Sequence, residues 1–299
     1  GLAFQGFRRI YVIVSQGKPS YRTDDFPSRL IKALIDVGLQ KPLFKSRPIV
    51  SLFHSFIFFG FSFYLLVNIN DLLEAYIEGW TTIGSSHPVA LGFNLFSDLF
   101  SILVLIGIIY FLIRRFVGKP KVFEFNSNVK LQDKVADGGI RKDSLLVGIF
   151  IILHVGFRFI GASFEVALNG QDWSQPGATL LSYSWVGLST DSLIFGEHLA
   201  WWMALGLILG FIPYFPYSKH AHLFMGPLNY MAKVDRRSLS TLEIMDLEDE
   251  TTEQFGAGKL EHLPQKELLD VNMLPMSDNV INKWQHRLEG VDLLWVEKP

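Results

Sequence analysis

The chain has 299 residues, of which 49% are hydrophobic and 26 are phenylalanine, and its formal net charge is −2. This composition, with a mean hydropathy of +0.27, is typical of a membrane protein and not of a soluble one. The sequence contains no cysteine, which excludes disulfides, thiolate-bound zinc and an iron–sulfur cluster held by four cysteines of this chain. Any redox cofactor must therefore be bound by histidine or methionine, or belong to a partner.

The amino-terminal segments differ in polarity. Residues 1–16 are apolar apart from Arg8 and Arg9, and we interpret them as the end of a first membrane helix whose beginning is missing from the sequence. Residues 17–47 are polar and basic, and we expect a cytoplasmic segment with a short amphipathic helix at residues 27–38. Three apolar residues recur there at helical spacing: Leu30, Leu34 and Val37.

Four later stretches are apolar over roughly the 20 residues that a helix needs to cross a bilayer. They are residues 48–68, 89–112, 144–161 and 199–217. The sequence therefore predicts an all-α transmembrane helix bundle with four full spans in addition to the truncated first helix. We assign residues 48–230 to the bundle and residues 231–299 to a polar tail that docks a partner.

The charges of the connecting segments predict the topology. Residues 17–47 and 113–143 are rich in Lys and Arg, whereas residues 72–87 and 163–192 contain neither. Because loops rich in Lys and Arg stay on the cytoplasmic side, both the start of the first full span and the tail are expected there. The sequence thus predicts a multi-pass protein of the cytoplasmic (inner) membrane.

Four histidines fall at two depths in this topology. His54 and His222 lie at the cytoplasmic ends of their spans, and His154 and His198 lie near the outer side, within about 10 Å of each other in depth at 1.5 Å per residue. Two pairs at two levels predict two b-type haems, each with axial imidazoles from facing helices. A histidine in a membrane helix also forms simple hydrogen bonds, so a cofactor-free membrane anchor or scaffold subunit is the alternative.

The choice between His220 and His222 stays open on geometry. The two residues are about 200° apart around a helix, so only one faces the bundle. A straight helix would put His220 on the side of His198, but Pro213 and Pro216 predict that the helix is not straight.

Four charged residues are candidates to assist the cofactors. Arg158, one turn after His154, and Lys219 would neutralise haem propionates. Glu197 and Glu165 would exchange protons with a quinone on the outer side.

The segment FPYSKHAHLFMGPLN resembles the end of the last ligand-bearing helix in the cytochrome b subunit (gamma chain) of respiratory nitrate reductase. The resemblance implies that His222 binds haem iron and that His54, in LFHSFIFFGF, is its partner. That cytochrome has further histidines ten residues after the first ligand and eighteen before the last, where this chain has Tyr64 and Ala204. A second haem would therefore need other ligands, for which His154 and His198 are the candidates.

Residues 1–270 resemble the membrane part of the heterodisulfide-reductase-like iron–sulfur reductases, which include oxidoreductases that pass electrons between electron-transfer flavoprotein and menaquinone. The segments that carry this resemblance are FRRIYVIVSQGKPSYR, KPLFKSRPIVSLFHSFIFFGF, GEHLAWW, PYSKHAH and FGAGKLEHLPQKELLD. The resemblance implies a haem-binding membrane subunit of a quinone-linked oxidoreductase complex. It would carry one or two haem b groups and transfer electrons between menaquinone or another quinone and a cytoplasmic iron–sulfur protein or flavoprotein.

One departure from those reductases concerns the partner. In them, a segment like FGAGKLEHLPQKELLD leads into a Cys-x-x-Cys-x-x-Cys cluster motif, whereas here VNMLPMSDNVINKWQHRLEG follows Asp270. We expect either that a partner supplies the cluster or that the sequence is incomplete or altered after this point. No nucleic-acid partner is expected, and a transporter is disfavoured because the spans contain few paired charges.

Overall fold

A computed structural model describes residues 1–17, 25–79, 87–120, 123, 137–232 and 265. Within these ranges every regular element is helical, which confirms the predicted all-α class. The α-helices are α1 (Leu2–Ser15), α2 (Phe26–Gly38), α3 (Lys41–Ser46), α4 (Pro48–Tyr76), α5 (Pro88–Ile113), α6 (Gly139–Asn169), α7 (Pro176–Ser182), α8 (Thr190–Tyr214) and α9 (His222–Met231). The shorter elements are a π-helical turn at Arg114–Gly118 and 3₁₀ turns at Tyr183–Trp185, Phe215–Tyr217 and Lys219–Ala221.

Four helical segments are long and apolar enough to cross a membrane, which confirms the four predicted full spans. They are Pro48–Asn70, Pro88–Gly118, Gly139–Asn169 and Thr190–Tyr217. The chain is therefore a multi-pass membrane protein. The helix α1, at 14 residues, is shorter than a span, and its interpretation as the end of a first membrane helix stays a prediction.

The last two spans are longer than the sequence predicts. The helix α6 covers Gly139–Asn169 and α8 starts at Thr190, whereas the apolar runs cover only 144–161 and 199–217. An apolar run marks the part of a helix that lies in hydrocarbon, but backbone hydrogen bonding continues through the more polar residues on either side. His198 consequently lies eight residues after Thr190, about 12 Å along the helix, and not at its end.

The chain forms two compact units. The first unit contains Gly1–Pro42, Pro120–Asp143 and Pro213–Pro299, and the second contains Leu43–Lys119 and Ser144–Ile212. Most of the length of the four spans belongs to the second unit.

Close helix packing at glycine holds the second unit together. A Cβ atom on Gly60 of α4 would lie 2.2 Å from Cγ2 of Val104 on α5, and one on Gly107 would lie 2.9 Å from the carbonyl oxygen of Phe53. Such contacts between small residues and their neighbours replace the hydrophobic driving force that is missing between helices in lipid. Two pairs of stacked rings lie beside them, Phe53 with Tyr110 and Phe150 with Phe211.

The connection between α6 and α8 is fastened to the spans by polar contacts. The carboxylate of Asp98, which is 5% exposed in the middle of α5, accepts hydrogen bonds from the backbone N–H groups of Gly177 (2.7 Å) and Ala178 (2.8 Å) at the start of α7. The indole of Trp185 donates to Oγ of Ser163 at 2.9 Å. These contacts attach the connection to α5 and α6.

The first unit is built from short helices. A Cβ on Gly6 of α1 would lie 2.5 Å from Cγ of Pro216, so α1 packs closely against the turn Phe215–Tyr217. The helix α2 packs against α9 and lies where the sequence predicts an amphipathic helix. This packing brings the amino-terminal helices of the chain next to the segment that carries His220 and His222.

Candidate functional site

His154 lies in the packed interior of the second unit. Its side chain is 6% exposed, and Nδ1 lies 3.0 Å from the carbonyl oxygen of Ala204 on α8. Because a carbonyl only accepts, Nδ1 carries the proton and Nε2 keeps its lone pair. The ring of Phe150 lies parallel to the imidazole, with 5.8 Å between centroids. A backbone carbonyl that fixes one ring nitrogen so that the other is ready for a metal is a common arrangement in histidine sites.

His198 does not share this environment. The buried residues of α8 in the second unit recur at intervals of seven, four and seven positions: Leu193, Ala200, Ala204 and Phe211. At about 100° per residue these four lie within about 40° of one another, whereas His198 lies about 140° around the helix from Leu193 and is exposed. The structure therefore does not bring His198 to the face of α8 that His154 contacts. Glu197 lies only about 40° from Leu193 and is half-buried.

Polar side chains from three spans surround His154. We call Tyr64, Asn68, Ser101, His154 and Arg158 the intramembrane cluster. The Tyr64 hydroxyl lies 2.6 Å from Oγ of Ser101, and its ring meets the His154 ring edge-on at 6.3 Å. Nη1 of Arg158 donates to Oδ1 of Asn68 at 3.2 Å, and the guanidinium carbon lies 5.6 Å from the Tyr64 ring centroid, within the range of a cation–π contact.

The intramembrane cluster contains more than the sequence indicated. The sequence predicts His154 and Arg158 at the site. Tyr64 enters the sequence analysis only as the residue at a position where the nitrate-reductase cytochrome has a histidine. Asn68 and Ser101 were not predicted. The available signal is their polarity inside otherwise apolar spans, because polar groups at that depth are costly unless they are paired.

The second histidine segment lies in the first unit, beyond the last span. The helix α8 ends at Tyr214, and two 3₁₀ turns precede α9, which begins at His222. This confirms that the helix is not straight past Pro213 and Pro216. Nδ1 of His222 donates to the carbonyl of Lys219 at 2.5 Å, so its Nε2 also keeps a lone pair. His220 is 8% exposed, and its backbone N–H donates to Oγ of Ser218 at 3.1 Å.

Burial controls the charge of both imidazoles. Burial, together with the positive charges of His222 and Lys219, lowers the pKa of His220 to about 3. Burial also lowers the pKa of His222, although its hydrogen bond to the Lys219 carbonyl acts in the opposite direction. Both shifts favour the neutral imidazole, which is the form that binds a metal.

Asp143 fixes the turn that leads to these histidines. Its carboxylate accepts from the Tyr214 hydroxyl at 2.6 Å and from the backbone N–H of Lys219 at 3.3 Å. Sequence reasoning missed Asp143, because a single carboxylate in a basic connection carries no distinguishing pattern. The Lys219 backbone is therefore held in place while its carbonyl orients His222.

Two further residues predicted for the site are His54 and Glu165. His54 is half-buried on α4 and belongs to the second unit, whereas His220 and His222 belong to the first. The pairing of His54 with His222 thus joins residues of different units and stays a prediction. Glu165 lies on α6 and is exposed. Within the described ranges no group of three or more His, Cys, Asp or Glu side chains is arranged to hold a metal ion, whereas a haem iron needs only two axial histidines.

Two curated proteins are similar to the chain over most of its length. The probable iron–sulfur-binding oxidoreductase FadF of Bacillus subtilis is 31% identical over 251 residues, which are 82% of this chain and 32% of that protein. The EtfAB:quinone oxidoreductase of Syntrophomonas wolfei is 25% identical over 237 residues, which are 76% of this chain and 30% of that protein. The chain therefore spans about a third of the length of these relatives.

Other comparisons give no match. No family model and no solved structure matches the chain. The chain is thus similar to electron-transfer oxidoreductases, as the names of the two relatives describe them.

Proposed function

We propose that the chain is a b-type cytochrome subunit of the cytoplasmic membrane that transfers electrons between menaquinone or another quinone and a cytoplasmic iron–sulfur protein or flavoprotein. The observation that carries the proposal is that two histidines, His154 within the third span and His222 just beyond the fourth, each have Nδ1 fixed by a backbone carbonyl and Nε2 left with a lone pair. The names of the two relatives support the iron–sulfur and quinone parts of the proposal.

The donor set of the chain fits haem better than an iron–sulfur cluster. Because the sequence has no cysteine, neutral imidazole is the strongest iron ligand among its side chains. It is also the ordinary axial ligand of b-type haem. In the proposal His222 and His54 hold the cytoplasmic haem, with His220 as the alternative to His222. His154 belongs to the second site, with His198 as its candidate partner, and this pair would require another face of α8 to turn inward.

Neighbouring groups would neutralise and position the cofactors. A bound haem b supplies a one-electron carrier between two-electron donors and acceptors. Arg158 and Lys219 lie beside His154 and His222 respectively and are the cations that would meet haem propionates. The ring of Phe150, parallel to that of His154, gives the second site an apolar side.

Quinone chemistry requires protons as well as electrons. Reduction of a quinone to the quinol takes up two electrons and two protons, so a carboxylate near the ring is needed. Glu197 is half-buried close to the packed face of α8, whereas Glu165 is exposed, and Glu197 is therefore the better candidate. In the proposed topology these residues face the outer side, and residues 231–299 form the cytoplasmic tail that docks the partner of a multi-subunit complex. Apart from residues 231, 232 and 265, the tail lies outside the described residues.

A reduced-minus-oxidised visible spectrum of the purified protein tests the proposal, together with a pyridine haemochrome count. We expect a b-type absorption band and one or two haems per chain. Reduction of that band by a menaquinol analogue in proteoliposomes would support the quinone step. The absence of a b-type band would overturn the cytochrome function. The alternative, a cofactor-free membrane anchor of a larger complex, would then remain.

A further inference from the structure

The helix α2 exposes most of its large aliphatic side chains, whereas two of its charged side chains, Arg29 and Asp36, are half-buried. Ile31 is 58% exposed, Leu34 57%, Ile35 45% and Leu30 38%. By contrast, Ala33 is only 3% exposed. The residues that share its face are half-buried: Arg29, Asp36 and Val37. For a helix at the surface of a protein in water, this distribution is reversed.

Helical geometry makes the exposed residues a continuous face. At about 100° per residue, Leu30, Leu34, Ile31 and Ile35 cover an arc of about 140°, opposite the face that is centred near Ala33. The opposite face is accounted for, because α2 packs against α9 on that side. We call Leu30, Ile31, Leu34 and Ile35 the aliphatic face of α2. An apolar medium is needed to cover it.

The charges near the aliphatic face indicate what covers it. Residues 25–47 contain five basic and two acidic side chains. The basic ones are Arg29, Lys32, Lys41, Lys45 and Arg47, and the acidic ones are Asp25 and Asp36. This excess complements the negative surface of a bilayer that contains anionic lipids. In addition, α2 ends only ten residues before α4 enters its span at Pro48.

The side-chain types also favour lipid over a protein partner. The aliphatic face contains only Leu and Ile, whereas the residues that dominate protein–protein interfaces are Trp, Tyr and Arg. At 13 residues, α2 is about 20 Å long and cannot cross a bilayer, but it has the length of a helix that lies in the headgroup region.

We propose that α2 is an interfacial helix whose aliphatic face inserts between the acyl chains of an anionic lipid surface, with the exposed side chains of Lys32, Lys41 and Lys45 bound to the headgroups. This gives the segment ahead of the first full span a binding partner of its own. The proposal is independent of any haem, because it depends only on the exposure and charge of α2.

Single-cysteine labelling tests the proposal in the full-length protein, because the sequence has no cysteine of its own. Ile31→Cys and Leu34→Cys place a fluorophore on the aliphatic face, and Lys32→Cys places one on an exposed polar position of the same helix. Phe59→Cys, 43% exposed at the middle of the span Pro48–Asn70, is the control for a label deep in the membrane. Each labelled protein is reconstituted into nanodiscs that contain phosphatidylglycerol and lipids with a quencher either near the headgroup or near the middle of the acyl chain.

We expect the labels at Ile31 and Leu34 to be quenched at least threefold more strongly than the label at Lys32 by the quencher near the headgroup. The label at Phe59 should respond most to the deeper quencher. Replacement of phosphatidylglycerol by phosphatidylcholine should reduce the quenching at Ile31 and Leu34, and unchanged quenching would overturn the role of the basic residues.

Two other outcomes would overturn the proposal. If aqueous iodide quenched the labels at Ile31 and Leu34 as strongly as the label at Lys32, the aliphatic face would lie in water. If neither lipid nor iodide quenched them, a protein would cover the face. Two positions are used so that one variant that fails to fold, as judged by its elution as a single species, does not decide the result.

Discussion

The same kind of hydrogen bond orients a histidine in each of two regions whose surroundings differ. His154 and His222 each donate Nδ1 to a backbone carbonyl, that of Ala204 in one region and that of Lys219 in the other. His154 lies inside a span among the side chains of the intramembrane cluster, whereas His222 lies beyond the last span, on a turn that Asp143 fixes. The backbone thus orients both imidazoles, and the surroundings determine what each could bind.

The surroundings also differ in how they satisfy their polar groups. In the intramembrane cluster, side chains of three helices pair with each other across the packed interior, which requires the helices to approach closely at Gly60 and Gly107. Around His222 the partners are mostly backbone groups within a few residues. The region of His154 is therefore sensitive to helix packing, and the region of His222 is sensitive to the conformation of one turn.

The largest expected effect is the loss of a haem when His222 is replaced. His222→Ala should remove the haem proposed for the cytoplasmic side, because Nε2 of this residue would be its axial ligand and alanine offers none. The pyridine haemochrome count would fall by one per chain. The matched variant His220→Ala should keep the count, because the proposal assigns the ligand to His222 and not to His220. Loss of haem in the His220 variant alone would reverse the assignment.

A larger residue at Gly60 should destabilise the second unit. The added side chain of Gly60→Val would clash with Val104, since even a Cβ lies 2.2 Å from Cγ2 of that residue. Overpacking of this kind costs about 1–3 kcal/mol, and the expected result is a clearly lower midpoint of thermal unfolding in detergent.

Gly92→Ala on α5 is the matched control for Gly60, because nothing lies within 4 Å of a Cβ at this position. This variant should be neutral or more stable by up to about 1 kcal/mol, as expected for alanine in place of glycine in a helix. Equal melting points for the two variants would show that α4 and α5 do not pack as described.

Removal of the Asp143 carboxylate should loosen the turn before His222. Asp143→Ala deletes the acceptor of the Tyr214 hydroxyl and of the Lys219 backbone N–H, and hydrogen bonds to a charged group contribute about 1.5–3 kcal/mol each when buried, less where they are partly exposed as here. We expect about 1–2 kcal/mol of destabilisation and a broadened absorption band of any haem bound at His222. Asp191→Ala, at an exposed position of α8, is the control. Equal effects of the two substitutions would contradict the role of the turn.

A smaller effect is expected at Tyr64. Tyr64→Phe removes the hydrogen bond to Ser101 but keeps the ring beside His154 and Arg158, so the cost should be about 1 kcal/mol. Tyr76→Phe, at a residue that is 83% exposed, should leave the melting point unchanged. If both variants melt like the unsubstituted protein, the contact between Tyr64 and Ser101 does not contribute to stability.

The four spans can be predicted from the sequence, because a run of about 20 apolar residues is visible in it. The exact ends of the helices and the faces that they bury are not visible in this way. The starts of α6 and α8 were missed because helices continue into polar residues that hydropathy does not mark. The acceptor roles of Asp98 and Asp143 depend on contacts 79 and 71 or more positions away in the chain, which no local pattern reveals. His154 and Arg158, by contrast, share one face of α6 because they are four residues apart, and this is visible in the sequence.

The smallest effect is expected for the replacement of His198, which should leave the bound haem unchanged. Its side chain is exposed about 140° around α8 from Leu193, so His198→Ala should alter neither the haem count nor the absorption band if α8 keeps this orientation. His154→Ala, on the buried side, serves as the paired variant, and its effect on the spectrum should exceed that of His198→Ala. If instead the two substitutions remove the same haem, α8 must turn its other face inward when the cofactor binds. The ligand pair at His154 would then form only when the cofactor binds. By contrast, the turn that orients His222 is formed without a cofactor.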